Sequence, residues 1–360
     1  MDVLVVGTGG AAGWPEPGCR CASCRRAARD TARARSTVVV DGILRLTADG
    51  VASAASATDA TDATDATADR PWSTETGRHR HHVREIPGGW DVTSPDGRRL
   101  LYPAGPGAVP VPPDGARPYD VAFLDVIGNP FQLGLLRARG LVTGGTTTIA
   151  AFADHRVSSI QELERRCAIW RVGVVADGAR VTTVRYEEEK VFRVLVLGGA
   201  RSGKSEWAEM RVATEPEVTY VATGPAADGD ADWAARIAAH RARRPAWWRT
   251  AETTDLPGVL ASATGAVLID GIGTWLAAVL DEAGWDTAGL GARIAELAAA
   301  WRQTGAYIVA VSDETGLGVI PETPAGRVFR DWLGRVNQAL AAECEQTELV
   351  VAGRVLAFSG

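Results

Sequence analysis

The chain has 360 residues, of which 46% are hydrophobic and 23% charged, and a formal net charge of −6. That length accommodates two ordinary domains, each with its own core. The acidic balance argues against a nucleic-acid-binding surface, which needs a basic field, and no apolar run approaches the roughly 20 residues of a membrane span.

The opening run MDVLVVGTGG reads as a strand entering a turn. It lacks the basic segment of a signal peptide, so a cytoplasmic setting is expected. Residues 3–6, 38–40, 43–46 and 121–125 read as strands of a first domain spanning 1–184. Within it, residues 52–68 carry the repeat TDATDATDAT, too polar and too simple to bury a core, which predicts a disordered loop near 52–70. Proline and glycine make 104–117 a second loose stretch. Residues 185–190, with Glu187, Glu188 and Glu189, read as a linker to a second domain over 191–360.

From residue 191 the pattern changes. Apolar strands are expected at 194–197, 218–222, 267–269, 308–311 and 349–351, separated by helices at 232–241, 274–281, 290–301 and 325–342. Strands alternating with helices predict an α/β domain, a mostly parallel sheet with helices on both faces.

Gly198, Gly199, Ala200, Arg201, Ser202, Gly203, Lys204 and Ser205 satisfy G-x-x-x-x-G-K-[ST] between a buried strand and a helix, the context of a P-loop NTPase-type domain. Glycines let backbone amides curl around phosphate oxygens, and the helix N-terminus adds partial positive charge. Lys204 is expected to reach the β- and γ-phosphates and Ser205 to hold Mg²⁺. The only lysines are Lys190 and Lys204 in a chain otherwise reliant on arginine, so Lys204 marks a place suited to a compact ammonium. Asp270, closing the strand 267–269, is the expected carboxylate partner of the metal.

His240 is the only histidine of the second domain, and Arg241, Ala242, Arg243 and Arg244 follow it. Such arginines would grip a triphosphate and keep the imidazole neutral and nucleophilic. A structural or solvated cap is the other reading of the same histidine.

The segments GGARSGKS, VTYVAT, RIAAHRARRP, W-x-T-A-E, VLIDGIGTWL and VSDETGLGVIPETPAGRVFRDWLGRVNQALA, then a closing strand near LVVAG, occur in that order over 191–358. Together they resemble the bifunctional cobinamide kinase and cobinamide-phosphate guanylyltransferase family of cobalamin biosynthesis. The resemblance implies that ATP or GTP phosphorylates adenosylcobinamide. GTP then guanylylates His240, and GMP passes to adenosylcobinamide phosphate, giving adenosylcobinamide-GDP. It also implies that Thr223, Gly224, Pro225 and Glu252 lie along the nucleotide, that Asp270 contacts Mg²⁺ or nucleotide, and that the chain forms a small homo-oligomer. Glu252 would read the guanine N1 and N2 donors or pair with an arginine. A P-loop kinase without guanylyl transfer, and a GTP-sensing binding module, are the competing readings. One departure is Asp313, where the family usually has Asn; it is expected to alter corrinoid or metal contacts without touching the P-loop.

In the first domain, Gly7, Gly9 and Ala12 imitate a dinucleotide fingerprint, but Pro15 and Pro17 exclude the helix it requires. The opening GTGGAAGWPEPGCRCASCRRA instead resembles the start of metallo-β-lactamase-fold proteins of the phosphodiesterase type, implying an α+β front domain. The H-x-H-x-D-H cluster of hydrolytic members is missing; His79, His81 and His82 stand in RHRHHV without an aspartate, so the domain reads as degenerate. Cys19, Cys21 and Cys24, with His155 as fourth ligand and Asp154 orienting a neighbour, form a candidate structural Zn²⁺ set. Three reduced thiols in a loop is the alternative.

Overall fold

The computed structural model describes residues 1–54, 70–73, 80–181, 192–224, 235, 238 and 241–359. The chain divides into two compact units, Met1–Glu187 and Glu188–Gly360. The expected linker 185–190 lies outside the described residues.

The first unit is built on two sheets. Strands β1 (Val3–Gly7), β2 (Thr37–Val40), β3 (Leu44–Thr47) and β4 (Gly50–Ser53) form an antiparallel four-stranded sheet in that order. The second sheet has six strands in the order β10-β9-β8-β7-β6-β5, from β5 (Arg70–Ser73), β6 (Arg80–Ile86), β7 (Gly89–Thr93), β8 (Arg99–Pro103), β9 (Val121–Leu124) and β10 (Thr147–Ala150). Val3, Val5, Val38, Val40 and Leu46 of the first sheet share one apolar cluster with Val92, Leu100, Tyr102, Phe123 and Ile149 of the second. Helices α1 (Ala22–Asp30), α2 (Phe131–Ala138) and α3 (Ile160–Trp170) complete the unit. The start of α3 follows from its sequence: the Ser159 hydroxyl accepts from the Glu162 amide at 3.2 Å, and the Glu162 carboxylate accepts from the Ser158 amide at 2.7 Å.

The ends of the segment expected as a loop near 52–70 fall in strands. Ala52 and Ser53 belong to β4, paired with Arg45 and Leu44 of β3, and Arg70 belongs to β5; residues 55–69 lie outside the described residues. A turn at Asp49, whose amide donates to the Thr47 hydroxyl at 3.2 Å, lets the β3 ladder recruit residues with little strand preference of their own.

The second unit is one seven-stranded sheet in the order β13-β12-β14-β15-β11-β16-β17. Its strands are β11 (Arg193–Gly198), β12 (Val218–Ala222), β13 (Arg249–Glu252), β14 (Ala266–Asp270), β15 (Tyr307–Asp313), β16 (Gln346–Val351) and β17 (Arg354–Ser359). All neighbours run parallel except β16 and β17, which form an antiparallel hairpin at one edge. Helices α4 (Lys204–Val212), α5 (Leu256–Ser262), α6 (Ile272–Glu282), α7 (Leu290–Gln303) and α8 (Pro324–Ala341) cover it. Leu195, Val267, Ile269, Ile308 and Ala310 pack with apolar residues of α5, α6, α7 and α8. Strand alternation turns Val194, Val196, Leu268 and Val309, equally buried, to the other face. Of the helix expected at 232–241, Ala235, Ala238 and Arg241 are helical, and the rest lies outside the described residues.

The P-loop helix α4 is fastened to β16 by a buried polar cluster. Glu348 accepts from Trp207 Nε1 at 2.6 Å and from Arg211 Nη1 at 2.8 Å, and the two charged side chains are 2% and 4% exposed. Each charge is neutralised by the other, which makes such burial tolerable. The contact fixes where Lys204 and Ser205 sit along the strand ends.

Candidate functional site

The strand ends explain the site. β11 runs into the glycine turn and α4 follows at once, so the first amides of that helix point at the space above the sheet. Glycine is obligatory at two points. A Cβ on Gly198 would lie 2.5 Å from Ser202 Oγ and 2.8 Å from Val350 O, and Gly203 holds a φ of +94°. Arg201 takes a φ of +57° in the same turn, and Ala200 and Gly199 are exposed at its tip.

Ser205 and Asp270 come together: Ser205 Oγ donates to Asp270 Oδ1 at 3.2 Å. The other oxygen of Asp270 accepts from the Tyr220 hydroxyl at 2.6 Å. Burial, and then the neighbouring Asp270 charge, push the Tyr220 phenol well above its usual range, so it stays protonated and donates. Tyr220 was not foreseen as a site residue. Its signal is strand alternation, because Ala222 is the register partner of Asp270 and Tyr220 shares Ala222's face.

Lys204 is nearly buried, and its ammonium has two partners. Nζ lies 2.8 Å from Asp313 Oδ1 and donates to Gly199 O at 3.2 Å. The expectation that Asp313 leaves the P-loop untouched is therefore wrong. The cause is register: β11 and β15 are neighbours, and Gly198 pairs with Asp313.

Thr223 closes the base of the site. Its hydroxyl donates to Gly271 O at 2.5 Å and lies 2.6 Å from the Thr274 hydroxyl, holding the turn after β12 against the start of α6. Gly224 follows it, half-buried, and Pro225 lies outside the described residues.

The three arginines after residue 240 do not converge on one point. Arg241 Nη2 donates to Glu252 Oε1 at 2.5 Å, with both side chains largely exposed. Arg243 holds both oxygens of Glu209, on α4, at 3.1 Å, and that hydrogen bonding raises the guanidinium's already high pKa. The Arg244 guanidinium lies over the Tyr220 ring, 3.6 Å from its centroid. Ala242 is exposed between them, and His240 lies outside the described residues. Arg241, Arg244, Trp248 and Glu252 line a cavity of about 390 Å³ beside β13.

With that geometry in view, the family model described as "Cobinamide kinase / cobinamide phosphate guanyltransferase" matches residues 194–358. The "Bifunctional adenosylcobalamin biosynthesis protein CobU" of Salmonella typhimurium is 40% identical over 175 residues, covering 44% of this chain and 96% of that protein. The chain belongs to the cobinamide kinase / cobinamide phosphate guanyltransferase family. CobU of Escherichia coli is 38% identical over 175 residues, again 44% of this chain and 96% of that protein. The "Bifunctional adenosylcobalamin biosynthesis protein CobP" of Pseudomonas aeruginosa is 42% identical over 177 residues, 47% of this chain and 98% of that protein. These relatives account for the cobinamide kinase half of the chain, with a parallel sheet carrying the P-loop.

A second cluster lies in the Met1–Glu187 unit. One ligand atom each from Cys19, Cys21, Cys24 and His155 lies within 4.8 Å of the others. His155 Nδ1 is 3.9 Å from Cys19 Sγ and 4.0 Å from Cys24 Sγ. Tetrahedral zinc bonds of about 2.3 Å to sulfur and 2.0 Å to nitrogen imply S···N edges of roughly 3.6 Å, so the set fits zinc with a small contraction. Cys21 also caps α1, accepting from the Cys24 amide at 3.4 Å, and this hydrogen bond lowers its thiol pKa. Burial pushes the Cys24 thiol up to about 11. Glu16 Oε2 is 3.0 Å from His155 Nδ1.

The neighbour that Asp154 holds is Arg156: its Oδ1 accepts from the Arg156 amide at 2.9 Å and from Arg156 Nε at 2.8 Å. The buried His81 places Nε2 2.7 Å from Oδ2 of the partly exposed Asp41, and His82 is exposed on β6; His79 lies outside the described residues. No helix among the described residues is long and apolar enough to cross a membrane.

Proposed function

We propose that the Glu188–Gly360 unit phosphorylates adenosylcobinamide with ATP or GTP and then transfers GMP from GTP, through His240, to give adenosylcobinamide-GDP. One observation carries the reading. In a chain of this family, Ser205 of the P-loop donates to Asp270 at 3.2 Å, and Asp270 ends β14, a parallel strand separated from the P-loop strand β11 by β15 alone. The amides of residues 199–205 cradle phosphate oxygens, and Lys204 neutralises them. Ser205 and Asp270 would hold Mg²⁺, which would offset phosphate charge when bound.

For the second reaction, the His240 imidazole forms an N–P bond to the α-phosphate of GTP as the bond to pyrophosphate breaks. A phosphate oxygen of the phosphorylated corrinoid then attacks the same phosphorus, the P–N bond breaks and the imidazole is regenerated. Splitting one displacement into two suits imidazole, which both attacks and leaves well. Arg244 on Tyr220 and Arg243 on Glu209 would add positive charge near Asp270. With Arg241 occupying Glu252, we favour the ion pair over guanine reading for that carboxylate.

The deciding experiment is incubation with Mg²⁺ and GTP labelled at the α-phosphate, beside a His240→Ala control. Label that survives alkali, falls off in acid and is absent from the variant is the expected result. GTP binding without retained label leaves a kinase or a sensor and removes the guanylyl step.

For the Met1–Glu187 unit we propose a metallo-β-lactamase-like domain without hydrolytic metals, holding one structural Zn²⁺ on Cys19, Cys21, Cys24 and His155. A reducing cytoplasm would keep those thiols available. We also propose a homo-oligomer, on the family resemblance alone.

A further inference from the structure

Lys204 already has an anion. Its side chain is 8% exposed, and the carboxylate it meets belongs to the chain itself. The backbone of Asp313 is held in place, while its carboxylate is 45% exposed. Asn337 Nδ2 donates to the main-chain oxygen of Asp313 at 3.1 Å, and Asn337 Oδ1 accepts from the neighbouring Ser312 hydroxyl at 2.6 Å, inside the buried packing of α8. The second carboxylate oxygen faces Gly273, where a Cβ would stand 3.3 Å away. Asp313 therefore ends β15 with one oxygen on Lys204 and the other against the start of α6, one strand from Asp270.

A carboxylate paired with the P-loop ammonium occupies the charge that a nucleotide phosphate needs. We infer that Asp313 is an internal competitor for Lys204 that makes the site select metal-loaded over metal-free nucleotide; the inference rests on the nucleotide reading of the P-loop. Free GTP is highly anionic and meets the Asp270 and Asp313 carboxylates at the strand ends, where Asp313 already offsets the Lys204 charge. Its magnesium complex carries less negative charge, and the two aspartates then face a cation rather than repel an anion. Asn at 313 would keep the shape and remove the competition. Asp313 is thus a positioning and selectivity residue acting through Lys204.

The size of the effect follows from charge. One like charge beside the phosphates, relieved when Mg²⁺ accompanies them, raises the apparent Kd for metal-free nucleotide about tenfold, which is about 1.4 kcal/mol. The test is calorimetric titration of the full chain with GTP, in EDTA and in excess Mg²⁺, for wild type, Asp313→Asn and Asp313→Glu. We expect Asp313→Asn to bind metal-free GTP about tenfold tighter and the magnesium complex no more than about twofold tighter, narrowing the preference. Asp313→Glu, which keeps the charge, should retain most of the wild-type preference. Unchanged affinities in Asp313→Asn, or equal changes with and without metal, would overturn the inference while leaving the nucleotide site intact. Wild type that binds neither form would overturn the nucleotide reading, and the inference with it.

Discussion

The Tyr220 hydroxyl donates to one oxygen of Asp270 at 2.6 Å while Ser205 donates to the other at 3.2 Å, so the acid is clamped from two elements. A carboxylate fixed in this way presents a constant orientation to whatever cation Ser205 and Asp270 share. Hydrogen bonds to charged groups contribute about 1.5–3 kcal/mol. Tyr220→Phe is therefore expected to lower the kinase rate about tenfold and raise the Mg²⁺ concentration for half-maximal rate, with GTP binding retained. Steady-state kinetics over a Mg²⁺ series checks it, and an unchanged metal dependence would remove Tyr220 from this role.

Arg211 and Glu348 make a different prediction, about stability. Removing one partner of a buried pair leaves an uncompensated charge at a cost of about 3 kcal/mol or more. Glu348→Gln should weaken the hold of α4 on β16, and it also alters the acceptor for Trp207. Hydrogen exchange followed by mass spectrometry should show lost protection in peptides spanning α4 and β16. Protection equal to wild type would mean that the ion pair is dispensable.

A pH dependence follows from Glu162. Burial alone would raise its carboxyl, but hydrogen bonds from Ser158 and the charge of Arg166 outweigh this and hold it below the usual range. A carboxyl depressed on folding stabilises fully above its ordinary pKa of about 4 and loses that contribution as pH falls through the lower folded value. Glu162→Gln should therefore cost the Met1–Glu187 unit about 1 kcal/mol near neutrality. The gap should close in acid below the ordinary carboxylate range. Melting temperatures of both proteins across that range are the check; a gap constant with pH would show that the cap works without its charge.

Metal analysis tests the cysteine cluster. Purified protein should carry one Zn²⁺ per chain, lost in Cys21→Ser, with the thermal transition of the Met1–Glu187 unit lowered as well. Folded wild type without zinc would leave three reduced thiols and a histidine gathered for packing alone.

Much of the second unit was legible because its local signals agree. The strand expected at 218–222 is β12, Val218–Ala222, and Asp270 closes β14 at the edge where the P-loop opens. Long apolar runs between turn residues leave little choice in a parallel sheet. What escaped were relations set by register. Lys204 meets Asp313 only because Gly198 and Asp313 are cross-strand partners, and no spacing along the chain encodes that. The arginines take separate partners that spacing does not encode: Arg241 meets Glu252, Arg243 meets Glu209, and Arg244, just past the helical residues 241–243, lies over Tyr220. In the first unit, β6 reads RHHVREI, with charged residues on its exposed face, and lacks the apolar density that marked β1. Its strandedness comes from pairing with β7, a tertiary effect.

The hairpin of β16 and β17 has a consequence in time. The amide of Gly353, in its turn, donates to Ser202 O at 2.8 Å, inside the P-loop, and Gly203 packs close to Gly353. Two residues about 150 positions apart thus complete a loop whose own sequence is contiguous. During synthesis the glycine turn leaves the ribosome early, yet its last brace arrives only when the hairpin does. A chain cut short before Gly353 lacks that brace however intact its motif reads.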